Sequence, residues 1–202
     1  MKLHYSPTSP FVRKVLVAAM ERGLGGQIER IDANPWDPAD PLPASNPLGK
    51  VPVLTTDDGQ VLFDSFVICS YLDGLGTAPP MIPEAAEAKL GVLRRHAAAD
   101  GILDAAVLRL IEKARRPAQL RWAEWEANQK AKIDRSLDLL ESEADALSEP
   151  LTLDQVTLGC ALGYLDFRFA EEDWRGPHPK LAAWYAEFGA RASMRDTRPP
   201  EA

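Results

Sequence analysis

Apolar and polar positions follow two different periods along this chain. Residues 2–5 and 27–31 alternate at a period of two, as half-buried strands do. Between them, residues 10–22 form an apolar stretch rich in helix formers, opened by Ser9-Pro10 and closed by Gly23. A serine followed by proline reads as an N-cap with proline at the first helical position. Residues 34–47 hold five prolines among Asp and Asn, which predicts a loop with one short helical turn. Strands over 51–54 and 61–63 flank the turn Asp57-Asp58-Gly59 and so predict a hairpin. Asp64-Ser65 then caps a helix over 66–72. The predicted order is β-α-β-α-β-β-α.

From about residue 84 the two-residue period disappears. A Gly/Pro-rich stretch separates the two regimes, with a linker at 77–83. Helical spacing predicts helices over 84–115, with Gly101 as a candidate bend, and over 118–147. Thr152-Leu153-Asp154-Gln155 reads as a capping box, with Gln155 reaching back. Residues 156–169 behind it are apolar on nearly all sides, which predicts a central buried helix. A last helix covers 179–189, and the tail 195–202 is expected to be extended. The expected organisation is an α/β domain over 1–76 followed by an all-helical domain over 84–202.

Composition narrows the classes without naming one. The hydrophobic share of 46% and charged share of 26% are those of an ordinary globular protein. A net charge of −7 argues against nucleic-acid or anionic-membrane partners and leaves room for a local basic pocket. The chain opens on a strand pattern with no basic-then-apolar leader, so a cytoplasmic location is expected. Cys69 and Cys160 sit far apart in apolar patterns and read as buried free thiols. His4, His96 and His178 are scattered, so no metal is expected.

The candidate chemistry lies in the first domain. A helix that starts right after a strand and a Ser/Pro/Thr loop directs free amides and a positive dipole end outward, an anion site. Val51-Pro52 places a proline where a strand amide would be missing, which makes sense if the bond is cis and backbone groups are exposed. An exposed strand edge holds an extended peptide by main-chain hydrogen bonds. Asp64-Ser65 adds a second helix start with a carboxylate and a hydroxyl. Such a site fits a small zwitterionic peptide, with the Ser9 hydroxyl beside it.

The motifs Ser9-Pro10-Phe11-Val12-Arg13-Lys14, Asn46-Pro47-Leu48-Gly49-Lys50-Val51-Pro52-Val53-Leu54 and Phe63-Asp64-Ser65-Phe66-Val67-Ile68 resemble the N-terminal half of cytosolic glutathione transferases. Residues 152–161 and His178-Pro179-Lys180-Leu181 resemble that family's helical domain. The nearest likeness is to bacterial serine-type members. The resemblance implies a thioredoxin-like first domain and an α-helical bundle. It implies an enzyme, a glutathione S-transferase that joins reduced glutathione to a small hydrophobic electrophile, and a homodimer active in detoxification. Residue by residue, it implies that Ser9 donates a hydrogen bond to the glutathione sulfur. Val51 pairs its backbone with the cysteinyl part and Pro52 is cis. Asp64 and Ser65 hold the γ-glutamyl end, while Lys50 reads either as a contact to the glycyl carboxylate or as a solvated loop lysine. Tyr5 is a rival hydroxyl. The electrophile is expected between the domains, near Thr8, Phe11 and Asp104, with Asp100 and Arg109 as further candidates. The usual acidic residue of the capping motif is Gln155 here. Two alternatives stay open: a binding module with little turnover, and a glutathione-dependent peroxidase or isomerase.

Overall fold

The computed structural model describes residues 1–148 and 150–200. The chain divides into two compact units, one of residues 1–82 with the C-terminal stretch from 192, the other of residues 83–191.

The first unit is a four-stranded mixed sheet with helices. Its elements are β1 (Lys2–Tyr5), α1 (Pro10–Glu21), β2 (Glu29–Asp32), the single turn α2 (Leu42–Ser45), β3 (Val53–Thr55), β4 (Val61–Leu62) and α3 (Ser65–Leu75). Strand order is β2-β1-β3-β4, with β1 parallel to β2 and antiparallel to β3, and β3 antiparallel to β4. Helix α1 buries Val12 and every residue from Val15 to Ala19 and packs against α3. It stops as its sequence predicts. Gly23 takes φ 75°, the Gly23 amide donates to the Met20 carbonyl and the Leu24 amide to that of Ala19. This is a Schellman cap, and only glycine enters that φ without penalty.

Two expectations are corrected in this unit. Strand β3 begins at Val53 rather than Val51, because Val51-Pro52 lies just outside the ladder, where a missing amide costs no sheet hydrogen bond. The C-terminal stretch does not belong with the helical domain 84–202, and its start is not extended. A short helix α8 (Ala192–Asp196) joins the first unit, where Met194 is buried and the Arg13 guanidinium donates to the Met194 carbonyl at 2.8 Å. Residues 201 and 202 of the expected tail lie outside the described residues.

The second unit contains α4 (Ala86–Ala114), α5 (Ala123–Ser142), α6 (Leu153–Arg168) and α7 (Pro179–Phe188). Helix α4 runs unbroken through Gly101 and packs on both α5 and α6. The expected helix over 118–147 is shorter, with 3-10 turns at 118–120 and 144–146 on either side of α5. Its start is fixed by Glu112, whose carboxylate accepts from the Trp122 amide at 2.7 Å. Helix α6 is buried at every position from Leu153 to Leu165, as its all-round apolar pattern predicts. No described helix is long and apolar enough to cross a membrane.

The start of α6 departs from the predicted capping box. The Thr152 side chain makes no cap bond. Instead Gln155 Nε2 donates to Thr152 Oγ1 at 3.1 Å and to the carbonyls of Ser148 at 2.8 Å and Pro150 at 3.2 Å. An amide can donate to these oxygens and a carboxylate cannot, so glutamine anchors the loop that leads into the helix. Gln155→Leu keeps the volume and strands these acceptors. We expect a loss of about 1–2 kcal/mol, read as a lower urea midpoint at unchanged m.

Candidate active site

Sheet register gathers the candidate residues of the first unit. His4 of β1 pairs with Val53, and Leu54 of β3 pairs with Leu62 of β4. Continuing both ladders by one or two positions sets Tyr5 opposite Pro52, Ser6 opposite Val51, and Pro52 opposite Asp64. The loop to Ser9, the Val51-Pro52 segment and the start of α3 therefore meet at one end of the sheet. Both Val51–Pro52 and Phe63–Asp64 are cis peptide bonds, the first as expected and the second unforeseen.

Ser9 is the N-cap of α1, and its Oγ accepts from the Val12 amide at 3.3 Å. A hydroxyl has one O–H and two lone pairs, so this bond uses an acceptor and leaves the O–H able to donate elsewhere. Capping and donating to a ligand are compatible. Asp64 is exposed and caps α3, its Oδ1 accepting from the Phe66 amide at 2.7 Å. Ser65 differs from both. It is 1% exposed, and its Oγ has no hydrogen-bond partner among the described residues. A buried hydroxyl without a partner carries a desolvation cost of about 1–3 kcal/mol, and here it sits in the first turn of a helix, beside amides with partial positive charge.

Lys50 is exposed, whereas its backbone is fixed: Asn46 Nδ2 donates to the Lys50 carbonyl at 2.8 Å. Asn46 is itself buried, accepts from the Leu48 amide at 3.0 Å, and starts a turn in which Gly49 takes φ 61°. This residue holds the approach to Val51-Pro52, a role that the sequence reading missed. An Asn-Pro pair with Gly three places after the Asn is the signal for it. Thr8 and Phe11 are half-buried on either side of Ser9. Tyr5 is half-buried within β1, with the Arg30 guanidinium 5.9 Å from its ring centre.

In the second unit, Asp104 is on the exposed side of α4. Arg109, a candidate for lining a cleft, is instead 2% exposed and committed to other groups. It donates to Glu126 at 2.7 Å and to both oxygens of Glu172 at 2.5 and 3.0 Å, and stands 4.4 Å from the centre of the Phe169 ring. Burial pushes the Glu172 carboxyl up, but the Arg109 hydrogen bonds and charge outweigh it and hold the group below the ordinary glutamate range.

One end of the first unit's sheet thus presents two capped helix starts, an O–H donor, an exposed carboxylate and irregular backbone before β3. The mixed four-stranded sheet with its helices defines a thioredoxin-like domain. Comparison with known proteins agrees with it. Residues 8–75 match the family model of the glutathione S-transferase N-terminal domain, and residues 123–187 that of the C-terminal domain. The chain belongs to the glutathione S-transferase family. It is 38% identical to the uncharacterized GST-like protein YibF of Escherichia coli over the whole of both chains. A glutathione transferase family member from Pseudomonas fluorescens, solved with bound glutathione, superposes with a TM-score of 0.94 at 43% identity, covering 98% of each chain. A glutathione S-transferase from Methylobacillus flagellatus with glutathione bound gives 0.92 at 38% identity, covering 98% of this chain and 99% of that one.

Proposed function

We propose that this protein binds reduced glutathione at the end of the first unit's sheet and transfers it to a small hydrophobic electrophile. The observation that carries this reading is the buried, unpartnered Ser65 hydroxyl at the start of α3, at the same sheet end as the Ser9 cap. A carboxylate placed there satisfies the hydroxyl and meets the positive end of the helix dipole. Glutathione supplies one on its γ-glutamyl end, next to an ammonium group that suits the exposed carboxylate of Asp64. The backbone of Val51, held before cis Pro52, pairs with the cysteinyl residue, and the Lys50 ammonium faces the glycyl carboxylate. Relatives solved with glutathione bound support the ligand.

In this reading the thiol sulfur lies near Ser9, whose O–H donates to it. The dipole of α1 and this hydrogen bond favour the thiolate, and the proton leaves to water. The thiolate then attacks the electrophilic carbon: a carbon–sulfur bond forms as the bond to the leaving group breaks, and the leaving group departs with the electron pair. Ser9 is not consumed. Thr8 and Phe11 flank the sulfur and are where the acceptor approaches. The assembly expected to carry this out is a homodimer, which sedimentation at micromolar concentration tests.

Calorimetry tests the site itself. Reduced glutathione is expected to bind with Kd below about 1 mM, and Ser65→Ala to weaken it by roughly 5- to 20-fold, the loss of one hydrogen bond to a charged group. Cysteinylglycine, which lacks the γ-glutamyl end, is expected not to bind at that level. Equal affinity of wild type and Ser65→Ala would remove the γ-glutamyl assignment.

A further inference from the structure

Helix α1 carries Ser9 at its start and is gripped from the side by the far end of the chain. The Arg13 amide donates to the Ser9 carbonyl at 3.0 Å, so Arg13 closes the first turn of the helix onto the cap. Its side chain is buried, with Nη2 donating to the Met194 carbonyl at 2.8 Å and Nε to Thr197 Oγ1 at 3.4 Å. Thr197 Oγ1 in turn donates to the Ser193 carbonyl at 2.7 Å, and Ser193 Oγ meets Glu21 at the other end of α1 at 2.5 Å. The segment from Ser193 to Thr197 thus runs as a strap along α1, tied at Arg13 and at Glu21.

We infer that Arg13 is a positioning residue for Ser9, tying the first turn of α1 to the C-terminal strap and so fixing the direction of the Ser9 hydroxyl. Two features favour this over packing alone. The Ser9–Val12 cap bond, at 3.3 Å, is beyond the usual range for N–H···O and holds the first turn weakly. Helix ends are also where local opening is cheapest, so a lateral anchor acts most strongly there. A buried guanidinium is, in addition, a poor choice for stability alone, since apolar replacements of buried ionic groups are often neutral or better. Its planar fork, by contrast, fixes direction, mainly through the 2.8 Å bond to the Met194 carbonyl, with the longer 3.4 Å contact to Thr197 Oγ1 beside it. The inference rests on Ser9 as the donor to the glutathione sulfur. It adds that the strap, more than 180 residues further along the chain, completes that site.

The experiment is a pH titration of the ultraviolet thiolate band of glutathione bound to full-length variants, paired with hydrogen exchange of the α1 amides without ligand. Arg13→Gln is expected to raise the bound thiol pKa by about 0.5–1 unit while glutathione affinity changes less than roughly twofold. It is also expected to speed exchange at the Val12 and Arg13 amides by about tenfold. Thr197→Val, a milder cut of the same tie, shifts both in the same direction by less and serves if Arg13→Gln does not fold. Glu21→Gln loosens the other end of the strap, and it is expected to lower thermal stability with the thiol pKa and the first-turn amides unchanged. If the Arg13 and Thr197 variants lose stability while the thiol pKa and first-turn exchange stay at the wild-type values, the inference is overturned. If instead first-turn exchange accelerates in the Arg13 variant but Ser9→Ala leaves the thiol pKa unmoved, the tie stands and the assignment of Ser9 as donor fails. Positioning toward the sulfur then fails with it.

Discussion

Ser9→Ala is expected to raise the pKa of enzyme-bound glutathione by about 1–2 units and to lower kcat/KM for a generic chloro-aromatic electrophile by roughly 10- to 100-fold. The effect should fall on kcat, with KM for glutathione nearly unchanged, because the proposed site holds the tripeptide through Val51, Asp64 and Ser65 rather than Ser9. The arithmetic is direct. A free thiol titrates near 8.5, so about a few per cent is ionised at neutral pH, and each unit of depression multiplies that fraction by nearly ten until it saturates. Loss of the Ser9 side chain also removes an N-cap. Alanine at that position costs about 1 kcal/mol of helix stability, which a thermal melt reports separately from the pH–rate profile. Stability and rate are thus read on different axes. The rate of the variant should recover at high pH, where the thiol ionises without help. A loss of rate that persists at high pH would point to disturbed binding geometry in place of lost thiolate stabilisation.

The second large effect belongs to the helical unit. Arg109→Met removes the cation hydrogen-bonded to Glu126 and Glu172 and leaves those carboxylates with the Phe169 ring and the more distant Lys113 ammonium. Breaking one partner out of such a network costs more than the network is worth, and both carboxylates are partly exposed, so we expect a loss of about 2–4 kcal/mol. The pH dependence has a definite sign. In the native state Glu172 is held below the ordinary glutamate range, so the pairing stabilises fully above that range and is lost as pH falls through the native value. Wild-type stability is therefore expected to decline on acidification across and below the ordinary glutamate range. In Arg109→Met most of this part of the decline should be absent, since only the weaker charges of Lys130 and Lys113 then lower Glu172. Denaturant midpoints taken at several acidic pH values test it, and a decline as steep as that of the wild type would show that the pair is not its source.

These residues also show what a single sequence can and cannot say. Ser9-Pro10 and Gly23 delimit α1 because caps and φ-permissive residues act within one turn, so the signal is local. The change of period near residue 84 and the all-round apolar character of α6 were equally legible, since burial on every side leaves no polar stripe. The motifs around Val51-Pro52 and Asp64-Ser65 pointed to one site, but sheet register is what sets them side by side. Arg109 was misread for the opposite reason. Its partners lie 17 and 63 residues away, and a charge on a helix gives no sign of whether it meets solvent or distant acids. The α8 strap was missed because it is five residues long, too short for periodicity, and its ties to α1 span more than 170 residues. Gln155 was placed at the right cap with the wrong partners, as the loop carbonyls it holds have no signature in sequence.

The central claim is that the sheet end bearing Ser9 and Ser65 binds glutathione as its thiolate. The most direct measurement is the ultraviolet thiolate absorbance of glutathione at saturating wild-type protein, titrated with pH against free glutathione. The account predicts a bound thiol pKa lower than the free one by at least about 1 unit. Bound glutathione that titrates like the free tripeptide would contradict it.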